Sequence, residues 1–173
     1  MGSKIQWTEE TWNPVVGCSP VSEGCRNCYA ARHAIRLAGH PNEKISDAYE
    51  GTAEMRGAGE KKRAVFTGTV RTRPERLDQP LHWRKPRRVF VNSMSDLFHP
   101  DVPFGFVDKV FAVMALAPQH TFQVLTKRPG RMAEYLSGER WKSVLSASFD
   151  LERAGMIDAL MRDGTGSWWP LEN

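Results

Sequence analysis

Long apolar runs are scarce in this chain of 173 residues. The most apolar stretch, Val110 to Pro118, covers nine residues, against roughly 20 for a helix that crosses a bilayer. The N-terminus MGSKIQW has none of the apolar character of a signal peptide. Gln6 stands where an N-myristoylation signal needs Ser or Thr. These absences point to a cytosolic protein without a membrane partner. Cysteine is also scarce. There are three, Cys18, Cys25 and Cys28, all within eleven residues. An odd number in a reducing compartment excludes a disulfide framework. Charge of one sign is barely in excess, with 24 basic and 20 acidic side chains for a net charge of +4. That permits contact with nucleic acid or an anionic cofactor without requiring it. There is no internal repeat or low-complexity tract.

What remains is ordinary globular material. Hydrophobic residues make up 40% and charged residues 25%, enough for one domain with a buried core and contrary to disorder or coiled coil. Strand character falls in Ile5 to Val16, Ala64 to Val70, Arg88 to Asn92 and Thr121 to Thr126. Asn13-Pro14 interrupts the first of these. Helical patterns cover Tyr29 to Ala38, the segment after Asp101-Val102-Pro103, Pro129 to Ser137, and Leu151 to Arg162. Asn42 to Lys62 reads as an irregular polar excursion. Strands alternating with helices predict a parallel α/β sheet. The specific expectation is a partial TIM-type (β/α) barrel over residues 1–173, with about four parallel strands and the cysteine loop after the first. A full barrel takes about 250 residues. The alternation stops at a helix followed by the Trp168-Trp169 pair. The expectation is therefore an open half-barrel lacking C-terminal strands, with an edge covered by its own C-terminus or by a partner.

The cysteines carry the chemistry. In CSPVSEGCRNCYAAR six residues separate Cys18 from Cys25, and two separate Cys25 from Cys28. Sulfurs at the latter spacing can face one metal, and Gly17 and Gly24 leave the backbone free to curl. Structural zinc sites usually take four ligands. A 4Fe–4S cluster on three thiolates keeps one iron open to an outside ligand. Three readings stand on spacing alone: an iron–sulfur cluster, zinc completed by His33 or His40, or no metal.

The strings TWNPVVGCSPVSEGCRNCYAAR, RRVFVNSMSDLFH and LTKRPGRM resemble a phage- and prophage-associated three-cysteine family of unknown function. That family in turn resembles radical S-adenosylmethionine (SAM) enzymes. The resemblance spans about Trp7 to Pro129. It implies a 4Fe–4S cluster held by Cys18, Cys25 and Cys28, with SAM chelated to the open iron and cleaved by one electron. The gap between the first two cysteines is longer than in the radical SAM pattern. Asn27 stands where that pattern has an aromatic residue, and Tyr29 is the nearest substitute.

Polar residues that directly follow strands are the candidates for holding SAM. Asn92 ends the run RVFVN and Ser95 and Asp96 follow it, and Asp96 could accept from ribose hydroxyls or instead cap a short turn. Thr126, Lys127 and Arg128 follow TFQVL, where a cation can pair with a carboxylate or phosphate. Basic residues interleaved with an aromatic suit nucleic acid. They are Arg71, Arg73, Arg76, Arg84, Lys85, Arg87 and Arg88, with Trp83 among them. Lys61-Lys62-Arg63 is a further basic group, and a solvated face is the plainer account of any such run. Trp12, Trp83 and Trp141 read as packing residues, whereas an exposed Trp168-Trp169 pair would invite a partner.

The expected function is a radical-SAM-type iron–sulfur enzyme of phage origin acting on nucleic acid or nucleotides. As a chain short of strands, it is expected to cleave SAM weakly by itself. Two other readings compete: a non-catalytic phage-derived protein that binds a host protein or nucleic acid, and a zinc-stabilised nucleic-acid-binding module.

Overall fold

The computed structural model describes residues 5–153 and residue 155. In chain order the strands are β1 (Glu10–Trp12), β2 (Val15–Val16), β3 (Ala53–Arg56), β4 (Arg63–Phe66), β5 (Arg71–Thr72), β6 (Arg88–Val91) and β7 (Thr121–Val124). The α-helices are α1 (Tyr29–Ala38), α2 (Glu43–Tyr49), α3 (Phe104–Leu116), α4 (Pro129–Ser137) and α5 (Trp141–Arg153). Trp168-Trp169, the last part of the expected C-terminal helix, and the expected fold-back over the sheet edge lie outside the described residues.

A parallel sheet runs in the order β1-β6-β7. Trp12 pairs with Val91, and Val91 with Val124. The C-terminal ends of the three strands are therefore level, and the residues after them emerge along one edge. Strand β6 is apolar at Val89, Phe90 and Val91, all buried, as a central parallel strand must be. Helix α3 covers the sheet with Val107, Val110 and Val113, each fully buried. Helix α5 packs on α3 through Ala147 and Leu151. Trp12 is fully buried, and its Nε1 donates to the Arg76 carbonyl at 2.6 Å, so the indole enters the core without an orphaned donor.

A second apolar cluster gathers α1, α2 and the β3–β4 hairpin around Ala31, Ala34, Tyr49 and Phe66. Val15 and Val16 join the two. Successive strand residues face opposite ways, and Val15 enters the main core while Val16 enters the second. The cysteine loop starts at the next residue, Gly17, so it is anchored between two packed units.

The expected four-stranded partial barrel is not found among the described residues. Among the described residues three strands run parallel, and the remaining four make two small antiparallel pairs, β2 with β5 and β3 with β4. Ala64 to Phe66 is a strand, but it returns against β3 with Ala64 opposite Met55. Only six residues, 57–62, join β3 to β4, and a parallel return needs a dozen or more. Gly57 permits the tight turn. Its φ is +91°, and a Cβ there would lie 2.5 Å from the Lys61 carbonyl oxygen. The polar excursion from Asn42 to Lys62 is thus largely ordered, as α2 and β3. Helix α3 begins at Phe104 after Pro103, with no side-chain cap from Asp101. The last described helix starts at Trp141, ten residues before the expected Leu151.

Candidate cofactor site at the strand ends

The residues that follow the level strand ends converge on the cysteine loop. Asp96 lies at the centre and is buried. Its Oδ1 accepts from Thr126 Oγ1 at 2.7 Å and from the Phe98 amide at 3.0 Å. Its Oδ2 accepts from the Lys127 amide at 3.0 Å and Arg128 Nη1 at 3.1 Å. Both oxygens are taken, so Asp96 ties the β6 and β7 ends together and has no free lone pair facing a ribose. The capping interaction to Phe98 is one part of that role.

Arg128 extends the network to the loop. Its Nη2 donates to the Ser19 carbonyl at 3.0 Å and to Ser19 Oγ at 2.9 Å, and its Nη1 also lies 3.7 Å from Cys18 Sγ. Lys127 reaches the other side. Its Nζ donates to the Gly24 carbonyl at 2.6 Å and lies 3.7 Å from Cys25 Sγ. Residues more than 100 positions apart in sequence therefore place a cation against each of two thiols.

The backbone of the loop is equally determined. Gly17 has φ +82°, and a Cβ would sit 2.0 Å from the Thr69 carbonyl oxygen, so only glycine fits. Gly17 also bridges to Ser95. Ser95 Oγ donates to the Val15 carbonyl at 2.8 Å, which commits its hydroxyl to holding β2. Asn92 takes a left-handed φ of 58° at the end of β6. Its Oδ1 accepts from the Val15 amide at 3.3 Å, while its buried Nδ2 has no partner among the described residues. Tyr29 opens α1 and donates its hydroxyl to the Ser93 carbonyl at 2.8 Å.

The two thiols nearest the cations differ. Burial pushes the Cys18 thiol up, and the Arg128 charge offsets this only in part. Burial also opposes ionisation of Cys25, but hydrogen bonds from the Val21 and Ser22 backbone and the charge of Lys127 outweigh it and hold this thiol below its ordinary value. Three residues of the network were not singled out by sequence. Ser19 Oγ lies 2.7 Å from His99 Nε2, and Asn13 Oδ1 accepts from Ser93 Oγ and the Met94 amide, each at 3.1 Å. Ser19 directly follows Cys18 and His99 closes the string RRVFVNSMSDLFH, so adjacency was the available signal. Burial, then the Arg128 charge, lowers the affinity of His99 for a proton.

Three thiols without a fourth cysteine suit a cluster with one open iron, and flanking cations suit anionic sulfur. The sulfurs are not gathered round one point. Among the described residues no group of three His, Cys, Asp or Glu side chains is arranged to hold a metal ion. His33 is hydrogen-bonded to Arg36 at 3.1 Å, and His40 Nδ1 accepts from the Asn42 amide at 3.0 Å, so both serve α1 and the turn after it.

The basic stretch from Arg71 to Arg88 is largely committed elsewhere. Arg71 donates to the Ala48 and Glu50 carbonyls, and buried Arg73 pairs with Glu75. Arg76 Nη1 lies 3.4 Å from Gln79 Oε1. Arg87 pairs with Glu10 and lies over Trp83, and Arg88 pairs with Glu9. Trp83 is half-buried against the main core, edge-on to His120. Arg84 and Lys85 are exposed. Trp141 is 63% exposed, where packing had been expected. Among the described residues no helix is long and apolar enough to cross a membrane.

A model of the family described as "Protein of unknown function (DUF5131)" matches residues 2–164. No curated protein and no solved structure matches the chain.

Proposed function

The chain belongs to the DUF5131 family, and from the geometry of its thiol loop we propose that it is an iron–sulfur protein of the radical SAM type. The observation that carries this reading is the pair of cations, Lys127 and Arg128, brought from the end of β7 to Cys25 and Cys18. A solvated strand-to-helix turn would have no reason to clamp a cysteine loop with two cations and a buried carboxylate. An anionic thiolate site does, since positive charge beside sulfur stabilises the thiolate and whatever it ligates.

Cys18, Cys25 and Cys28 would hold the cluster, drawing together when it binds. When bound, a 4Fe–4S cluster supplies the electron for reductive cleavage of SAM. The chain's own residues do the positioning. Arg128 and Ser19 fix the Cys18 side of the loop, Lys127 fixes the Cys25 side, and Asp96 with Thr126 locks both cations to the sheet edge. Asn92 Nδ2 is a buried donor with a hydrogen bond to give, suited to a carboxylate or carbonyl oxygen of a small ligand. Lys127 keeps further donor capacity on an exposed ammonium. The radical SAM likeness and the phage association rest on the three sequence strings. A cytosolic, reducing location follows from the same reading, because open thiolate sites need reduced sulfur.

Anaerobic purification and reconstitution test the proposal. Reconstituted protein is expected to be brown with about four irons and four sulfides per chain. C25A is expected to lose the colour, and added SAM is expected to change the electron paramagnetic resonance spectrum of the reduced protein. Stoichiometric zinc with no iron would refute the iron–sulfur reading. A spectrum indifferent to SAM would refute the radical SAM part alone.

A further inference from the structure

Two grooves pass the thiol loop and share Asn27 and Arg32. The first, of about 480 Å3, takes Arg26, Asn27 and Arg32 from the loop and α1, Lys61 and Lys62 from the β3–β4 turn, and Arg63 from the start of β4, with Glu60 its one carboxylate. The second, of about 450 Å3, continues along α1 past Cys28 and Tyr29 to His33 and Arg36. The whole chain carries a net charge of +4, yet the first groove alone holds five cations against Glu60.

Most of these cations are uncommitted, although Arg36 is hydrogen-bonded to His33 at 3.1 Å. Arg26 reaches Glu23 at 3.8 Å with both side chains largely exposed. Among the described residues Arg32, Arg36, Lys61, Lys62 and Arg63 make no ion pair. The contrast with the Arg71–Arg88 stretch, where four arginines are paired or bound to carbonyls, is one of availability rather than number. Cations gathered in a concave surface repel one another, and an anion relieves that repulsion. The turn that presents Lys61 and Lys62 and leads into Arg63 is held by Gly57, which only glycine can occupy without collision.

Tyr29 adds a second feature. Tyr29 as a residue is 58% exposed while its hydroxyl is tied to the Ser93 carbonyl. An exposed aromatic held at one end is an ordered stacking surface. A free nucleotide presents its phosphates at one point, whereas these cations extend along two joined grooves, as a polymer backbone requires.

We propose that the joined grooves bind the backbone of a single-stranded nucleic acid, with one base stacked on Tyr29 beside Cys28. Arg32 and Arg36, one helical turn apart, and Lys61, Lys62 and Arg63 take the phosphates. The inference deepens the reading of the thiol loop as a catalytic centre by naming the polymer brought to it, but binding itself does not need a cluster.

The test is anisotropy of a labelled single-stranded oligonucleotide, as DNA and as RNA, titrated with the full-length protein at several salt concentrations. Each phosphate contact contributes about 0.7 to the slope of log affinity against log salt for single strands. R32A/R63A is therefore expected to lower the slope by about 1.4 and the affinity roughly 25-fold at about 0.1 M salt. Y29A is expected to weaken binding with the slope unchanged, and Y29F to retain it. All these side chains are exposed, and circular dichroism checks that the variants fold. Three outcomes would overturn the proposal: no binding at low salt, a greater loss in R84A/K85A than in R32A/R63A, or displacement of the strand by equimolar ATP. C18A/C25A/C28A separates this from the iron–sulfur reading. Binding kept in a protein that never takes up iron leaves the groove standing alone, whereas colour without binding removes only the groove.

Discussion

Replacing Arg128 with methionine keeps an unbranched apolar stem and removes the guanidinium with its charge and donors. Arg128 and Asp96 are 9% and 7% exposed at their side chains, so the pair lies in a poorly solvated setting. Removing one member of a buried pair costs about 3–5 kcal/mol, because the other charge is left uncompensated. Asp96 would keep Thr126 Oγ1 and the Phe98 and Lys127 amides, which places R128M at the low end, about 3 kcal/mol. For a chain of this size that lowers the melting temperature by roughly 6–12 °C. R128K keeps the charge but loses the fork that spans Asp96 and Ser19, and is expected to cost about 1–2 kcal/mol. In D96N/R128M the orphaned charge is gone, so the double variant should be more stable than the sum of the two single losses allows. Urea denaturation of the metal-free protein, followed by far-ultraviolet circular dichroism, measures the parent and the four variants, D96N included. A loss in R128M below about 0.5 kcal/mol, the range of an ordinary surface change, would show that this network does not hold the strand ends to the loop.

Three further outcomes follow from the same structure. G17A must bring a Cβ to 2.0 Å from the Thr69 carbonyl oxygen at a left-handed φ, so a loss of about 2 kcal/mol or more in urea is expected; an unchanged midpoint would contradict the described loop. Tyr135 donates to Asp108 Oδ1 at 2.9 Å, and burial, followed by that bond and the Asp108 charge, raises its pKa well above 10. Its neutral form is the one the fold favours, so its stabilisation is complete below about pH 10 and declines above it; Y135F should cost about 1–2 kcal/mol at neutral pH and show a shallower alkaline loss of stability than the parent. In metal-free protein the Cys25 thiol is held low and the Cys18 thiol pushed up, so iodoacetamide near pH 8 should label Cys25 first, as read by peptide mass mapping; preferential labelling of Cys18 would overturn the assigned electrostatics.

Local signals carried part of this fold. Helix α1 runs from Tyr29 to Ala38 and α4 from Pro129 to Ser137, as read from the sequence, because Gly39 and Gly138 directly follow the last periodic residues and Pro129 stands at a first helical position, where each is favoured. The apolar run at Val89 to Val91 announced a strand buried on both faces. Helix α5 was misplaced because Trp141, Leu145 and Phe149 are exposed, so its apolar residues do not mark a buried face over that stretch. The candidate cofactor residues were legible for a simpler reason. The C-terminal ends of parallel strands share one edge of the sheet, so polar residues written after RVFV and TFQV emerge on the same side.

Direction and partnership were not written locally. Nothing in AVF says whether that strand runs parallel or antiparallel to a neighbour. The six-residue connection and the positive φ of Gly57 decide it, and both become visible only once β3 is known to be a strand. Asp96 carries the same residue name whether it binds a ribose or caps a turn. Thr126 and Arg128, some thirty positions away, spend its lone pairs. The basic side chains make the point in the other direction. A sequence counts charges, and by that count the stretch from Arg71 to Arg88 is the richer. Pairing is a property of space, since Glu9, Glu10, Glu75 and the Ala48 and Glu50 carbonyls engage those arginines, while Lys61, Lys62 and Arg63 are exposed and make no ion pair among the described residues.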